Sequence, residues 1–232
     1  MIKNATVLLA LLVVLASCSD EAVNPGPITV TQAKTGSSFT FDNYDTDTTS
    51  GAVIPESRDT SVHTVVSTGA TFNGKSNVSK LSMMSSRDTS EAYMNYETNG
   101  DISLYFPGFS STVQWLNFPI SSKTTFSAVL ADTSYTFVGT TFQTKITAEN
   151  SYVGTETITV NGQALNAIKI KQSLKTKITS AGISEEESID TYFYFALSLG
   201  YVVKVEKPAT TTPGTDMKSE GSMSILLSYV LK

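Results

Sequence analysis

The sequence is poorest in the residues from which reactive centres are built. Its 232 residues include one cysteine, Cys18, one histidine, His63, and one tryptophan, Trp115. A lone Cys and a lone His exclude an intrachain disulfide, a Cys/His zinc site and any triad that needs a second imidazole. Charge is also scarce, at 16% of residues against the usual figure of about 25%. Lys and Arg number 16 against 21 for Asp and Glu, a net charge of −5, so the basic excess of a nucleic-acid groove is missing and no nucleic acid is expected as partner. No Gly-x-Ser-x-Gly nucleophile motif occurs, and no cofactor or metal is expected. What the chain has in quantity is hydroxyl groups, with 33 Thr and 31 Ser, alongside 40% hydrophobic residues. That is enough for a core, in a composition typical of β-rich extracytoplasmic domains.

The N-terminus carries an address. Lys3 is followed by the unbroken apolar run Val7 to Ala16, about half the length of a spanning helix and the right length for a signal-peptide core. Leu15, Ala16, Ser17 and Cys18 follow, and this quartet resembles the bacterial lipobox, in which the Cys thiol is lipidated and the chain is cut in front of it. The resemblance implies residues 1–17 as signal peptide and 18–37 as lipidated Cys18 with a flexible tether, the latter containing Pro25, Gly26 and Pro27. It also implies a membrane partner through acyl chains, which hold a protein stably once two are present. Ser19 after the Cys implies an outer-membrane anchor facing the periplasm or the cell surface.

Residues 38–232 read as one antiparallel β domain. Short β-branched and aromatic runs alternate with turn signals, and no stretch of more than about 12 residues holds a helical period. Asn73-Gly74, Asn99-Gly100 and Asn161-Gly162 have the chemistry of tight hairpin turns. About a dozen strands without an internal linker fit one large curled sheet, a half-barrel or partly closed barrel. Strands are expected at Phe126 to Ala131 and Tyr135 to Glu149, among others. From Ile168 to Ile178 the apolar Ile168, Ile170, Leu174 and Ile178 alternate with Lys169, Lys171, Lys175 and Lys177, so one face is core and the other wet. The lysines are expected to pair with Glu185, Glu186, Glu187 and Asp190 of the next strand.

Candidate sites are few. His63 lies in the strand pattern Ser61 to Val65, where a lone imidazole reads as a surface residue. Asp42, Asp45 and Asp47 lack the ligand spacing of a calcium loop. Tyr192, Phe193, Tyr194 and Phe195 are aromatic on both faces of one strand, which must therefore be covered twice or line a cavity. A ligand pocket is expected around Trp115, Phe118, Tyr192 and Tyr194, with Phe39, Phe41, Met83, Met84, Tyr93, Tyr96, Tyr105 and Phe106 as further pocket or core residues.

The second half also carries a family resemblance. Trp115-Leu116-Asn117-Phe118-Pro119, Glu156 to Val160, Ala167 to Ile170, Tyr192 to Ala196 with Leu199 to Lys204, and Leu226 to Tyr229 resemble a group of bacterial lipoproteins related to the half-barrels of the periplasmic lipoprotein carriers. This implies a sheet curved around a concave apolar face. The resulting expectation is a non-enzymatic, membrane-anchored lipoprotein that binds a lipid or other hydrophobic or amphipathic envelope ligand. The alternative is a structural or adhesive surface module with a solid core. No protein partner is indicated.

Overall fold

The computed structural model describes residues 29–108, 115–211 and 218–232. The lipobox, Leu15 to Cys18, lies outside the described residues. Among the described residues fourteen strands follow in order: β1 (Ser38–Thr46), β2 (Asp59–Phe72), β3 (Lys75–Met84), β4 (Thr89–Tyr96), β5 (Ile102–Tyr105), β6 (Leu116–Phe118) and β7 (Phe126–Phe137) form the first half. β8 (Thr140–Val160), β9 (Gln163–Ser180), β10 (Ile183–Ala196), β11 (Tyr201–Lys207), β12 (Thr210–Thr211), β13 (Lys218–Ser219) and β14 (Gly221–Val230) complete it. Twelve of them make one antiparallel sheet in the order β6-β5-β4-β3-β2-β1-β14-β11-β10-β9-β8-β7. β12 and β13 pair separately, inside the loop of the last hairpin.

The sheet curls into a nearly closed barrel whose one unsealed seam lies between β6 and β7. Side chains bridge the seam in place of a backbone ladder. Asn150 in β8, fully buried, donates from Nδ2 to the Asn117 carbonyl at 2.7 Å. Buried Asp101 accepts the Ser121 and Ser122 N–H groups on one carboxylate oxygen at 2.8 and 3.0 Å, fixing the turn that leads from β6 to β7. Edges tied down in this way have fewer free backbone groups to offer another chain.

Four hairpins turn on the same two-residue geometry. Asn73-Gly74 and Asn161-Gly162 adopt positive φ at both positions, as expected from their chemistry. Val138-Gly139 and Ala181-Gly182 do the same, and the first of these turns lies inside the stretch Tyr135 to Glu149 that alternation alone reads as one strand. Asn99-Gly100 lies in a wider turn, closed by Gly100 N–H donating to Glu97 O at 2.9 Å.

β8, β9 and β10 are much longer than their neighbours. β11 pairs only with Tyr192 to Ala196 of β10, so residues 183–191 pair on one side alone. Above the barrel β7–β10 therefore continue as a four-stranded wing. At the other end the chain N-terminal to β1 is packed against the domain. Thr31 N–H donates to Leu197 O at 2.9 Å, and both Ala33 and Ser37 are buried. Residues 30–37, which the sequence places in the tether, thus lie along the base of the barrel.

Candidate functional site

Alternation along β10 sorts its four aromatics onto two faces. Phe193 and Phe195 point inward, where Phe118 from β6 meets them with ring centroids 5.0 and 5.2 Å away. Tyr192 and Tyr194 point outward. Lys169 Nζ lies 4.7 Å from the Tyr192 ring centre and 5.1 Å from that of Tyr194. The Tyr194 hydroxyl donates to Glu206 at 3.0 Å. Burial, reinforced by that carboxylate, raises the phenol above its ordinary range. Lys204 bridges Glu206 at 2.9 Å and Glu156 at 3.9 Å. This outer cluster satisfies itself with ion pairs and cation–π contacts and has no apolar hollow.

Trp115 is elsewhere again. Its ring joins Phe72, Tyr93 and Tyr105 on the outside of β2–β6, and Nε1 donates to the Asn73 carbonyl at 3.0 Å. The four residues expected around one pocket therefore occupy three places: Phe118 inside, Tyr192 and Tyr194 on the outer face of β10, and Trp115 on the opposite flank. The sequence requires β10 to be covered twice or to line a cavity, and the structure does both, with Phe193 on the cavity wall and Tyr192 and Tyr194 under lysines.

The apolar cavity is inside the barrel. Its volume is about 170 Å³, and Met83, Met94, Leu104, Phe106, Phe193 and Val205 form most of its wall. At one edge stands His63. Its Nδ1 is 3.1 Å from the Tyr201 hydroxyl, its Nε2 is 3.4 Å from Ser61 Oγ, and its ring lies 4.6 Å from that of Phe41. Burial pushes the imidazole down to about 4 and the Tyr201 phenol up, so both are neutral at pH 7. In a neutral pair one ring nitrogen donates and the other accepts, so the Tyr201 and Ser61 hydroxyls satisfy both nitrogens whichever tautomer is present. The only imidazole of the chain is thus a satisfied polar group on an otherwise apolar wall, and the reading of His63 as a surface residue is corrected. The sequence hid this because Ser61, His63 and Val65 alternate with Val62, Thr64 and Val66. Both faces of that strand carry valine, so parity points neither way.

The inner face continues onto the wing. Register places Tyr135, Phe137, Phe142, Ile178, Ile183 and Ile189 on the side that faces the cavity lower down. Tyr135 stacks on Phe142 with centroids 5.2 Å apart. Most of these are solvent-exposed, Phe137 by 67% and Ile183 by 72%. The outer wing face carries the lysine row, as expected, with Lys171 3.5 Å from Asp190 and Lys175 3.1 Å from Glu149. Glu186 and Asp190 share that face, whereas the register turns Glu185 and Glu187 to the inner one. Among the described residues, no group of three or more His, Cys, Asp and Glu side chains converges.

No family model matches the chain, and no curated protein matches its sequence. Two solved structures resemble it. One is a protein of Parabacteroides distasonis named as a lipoprotein, 13% identical with a TM-score of 0.47 over 87% of this chain and 99% of that one. The other is a protein of Bacteroides fragilis named as exported and as having a YmcC-like fold, 13% identical with a TM-score of 0.44 over 88% and 99% of the two chains.

Proposed function

We propose that the protein is a non-enzymatic, outer-membrane-anchored lipoprotein that holds an amphipathic envelope molecule with one apolar tail in the barrel. The observation that carries this reading is the internal cavity, whose polar edge, His63 with Tyr201, is already satisfied. At about 170 Å³ it is close to an engineered cavity of ~150 Å³ that stays dry and takes up benzene. It is smaller than the roughly 300–1,000 Å³ that holds a whole drug-sized ligand. It therefore suits the end of an acyl chain or a single ring, not an entire lipid.

The wing supplies the rest of the surface. A solid structural module gains nothing from Tyr135, Phe137, Ile178 and Ile183 left in water on the inner face, beside Glu185 and Glu187, and exposed apolar groups gathered in this way are ordinarily binding surfaces. A tail that passes from the cavity onto Ile189, Ile178 and Phe142 covers that face. Anchorage at Cys18 supplies the membrane, and the base of the barrel, where residues 30–37 run, is then the membrane-proximal end.

Native mass spectrometry of the full chain purified from its own envelope, followed by organic extraction, tests this reading. A reproducible adduct that yields an acyl-chain compound is the expected result. A clean apo mass with an empty extract contradicts it and leaves the solid surface module.

A further inference from the structure

A second hollow lies on the flank opposite the outer face of β10. It is a groove of about 470 Å³ between Trp115 and Phe126, floored by Lys75, Glu97, Ser103 and Asn117. Its size falls within the ~300–1,000 Å³ of small-molecule sites. Its chemistry is unlike that of the cavity, because aromatic walls enclose donors and acceptors of several kinds.

The groove is held rigidly. The Trp115 indole is tied to Asn73 O at 3.0 Å and lies against Tyr105 and Phe72, which stacks on Tyr93 at 3.9 Å. Lys75 Nζ sits 5.5 Å from the Trp115 ring centre and pairs with Glu97 Oε1, which also accepts the Ser103 hydroxyl at 2.5 Å. Ser103 Oγ in turn accepts from Asn117 Nδ2 at 3.4 Å. Both bonds to Glu97 fall on Oε1 and Asn117 is engaged through Nδ2, so among the described residues Glu97 Oε2 and Asn117 Oδ1 are open to a ligand, and Lys75 has N–H groups to spare.

These features narrow the ligand by elimination. Lys75 and Glu97 cancel, so neither a simple anion nor a simple cation is selected. An aliphatic tail would strand the carboxylate and the carboxamide unpaired. A ring with a C–H face and an edge of neutral hydroxyl groups meets both demands, with its face on an aromatic wall and its hydroxyls on Glu97 Oε2, Asn117 Oδ1 and Lys75 Nζ. We propose that this groove binds a neutral saccharide unit, at a site separate from the barrel cavity and independent of its ligand.

Because Trp115 is the only tryptophan and lines the groove, its emission is a direct probe of this site. The test titrates the full chain, in a detergent without a sugar headgroup, with cellotriose, maltotriose, mannotriose and chitotriose. Adenosine and inorganic phosphate serve as comparison probes. Expected is a saturable change in emission with at least one trisaccharide at a Kd of about 1 mM or tighter. Asn117→Ala and Glu97→Gln, shown to be folded by circular dichroism, should each weaken it by about tenfold, the loss of one charge-assisted or buried hydrogen bond. The proposal is overturned by no response to any trisaccharide up to about 10 mM. A response to adenosine or phosphate alone overturns it too, as does saccharide binding that both folded variants retain unchanged.

Discussion

The phenol of Tyr96 donates to the carbonyl of Gly200 at 3.0 Å across 104 residues of sequence, and the same oxygen accepts the N–H of Ala33 at 3.1 Å. One side chain at the end of β4 thus pins both the turn between β10 and β11 and the segment that leads up from the N-terminus. Burial pushes this phenol up to about 12, so it stays a donor across the physiological range. Tyr96→Phe leaves two backbone groups unpaired at the base of the barrel and should lower stability by about 2–4 kcal/mol. Thermal unfolding of the variant against the parent checks this.

Gly200 allows the approach. It has a φ of +59°, and a Cβ there would lie 1.7 Å from the carbonyl oxygen of Thr31. Gly200→Ala therefore either displaces residues 30–33 or fails to fold. In folded material, amide exchange at Thr31 and Ala33 should rise sharply while exchange in the core of β9 stays slow. Equal protection of Thr31 in parent and variant would contradict this packing.

His63 makes stability pH-dependent in a defined direction. Burial depresses its folded value from the ordinary imidazole value to about 4, so the unfolded chain takes up a proton that the native fold refuses. The contribution is complete above about pH 6.5 and is lost as pH falls towards 4. The parent should lose more stability than His63→Gln between pH 7 and 4.5 in urea titrations. Parallel curves would show that the imidazole is not held neutral by burial.

Tyr194 separates the two faces of β10. Tyr194→Phe deletes the hydrogen bond to Glu206 beneath Lys204 and should cost about 1–2 kcal/mol. Uptake of a hydrophobic ligand should be unchanged, because the ring faces away from the cavity. A folded Tyr194→Phe protein that no longer takes up the ligand would place the site on the outer face instead.

The architecture was largely legible in the sequence. Alternation at Ile168 to Ile178 gave the two faces of β9, and the Asn-Gly pairs marked three hairpins. Val138-Gly139 and Ala181-Gly182 escaped because Val and Ala have no preference for positive φ, so only the glycine hinted at a turn. The site was less legible. Phe193 and Phe195 lie next to Tyr192 and Tyr194 in sequence, but a period of two sends them to opposite sides. Phe118 and Trp115, three residues apart along β6 and the residue before it, fall on opposite faces by the same period of two. Which aromatics converge depends on how far the sheet curls, and only long-range packing sets that.

The wing yields a further prediction. Phe137→Glu and Ile183→Glu alter side chains that are already largely in water, so the unfolding temperature should move little. Retention of an amphipathic ligand should nevertheless fall several-fold, since each change replaces apolar contact area with a carboxylate on a face that already carries Glu185 and Glu187. Release rates from liposome-loaded protein measure this, and rates equal to the parent's would remove the wing from the site.

The central claim is that the interior of the barrel receives an apolar tail, and filling that space tests it most directly. Ala92 is buried and lines the cavity, so Ala92→Phe, or the smaller Ala92→Leu should Phe overpack the site, occupies the volume from within. The measurement is a fluorescence titration with cis-parinaric acid of the parent and of whichever filled variant keeps a cooperative unfolding transition. The account predicts saturable one-site binding by the parent and its loss in the filled variant. Undiminished binding by a folded filled variant, or none by the parent, would contradict it.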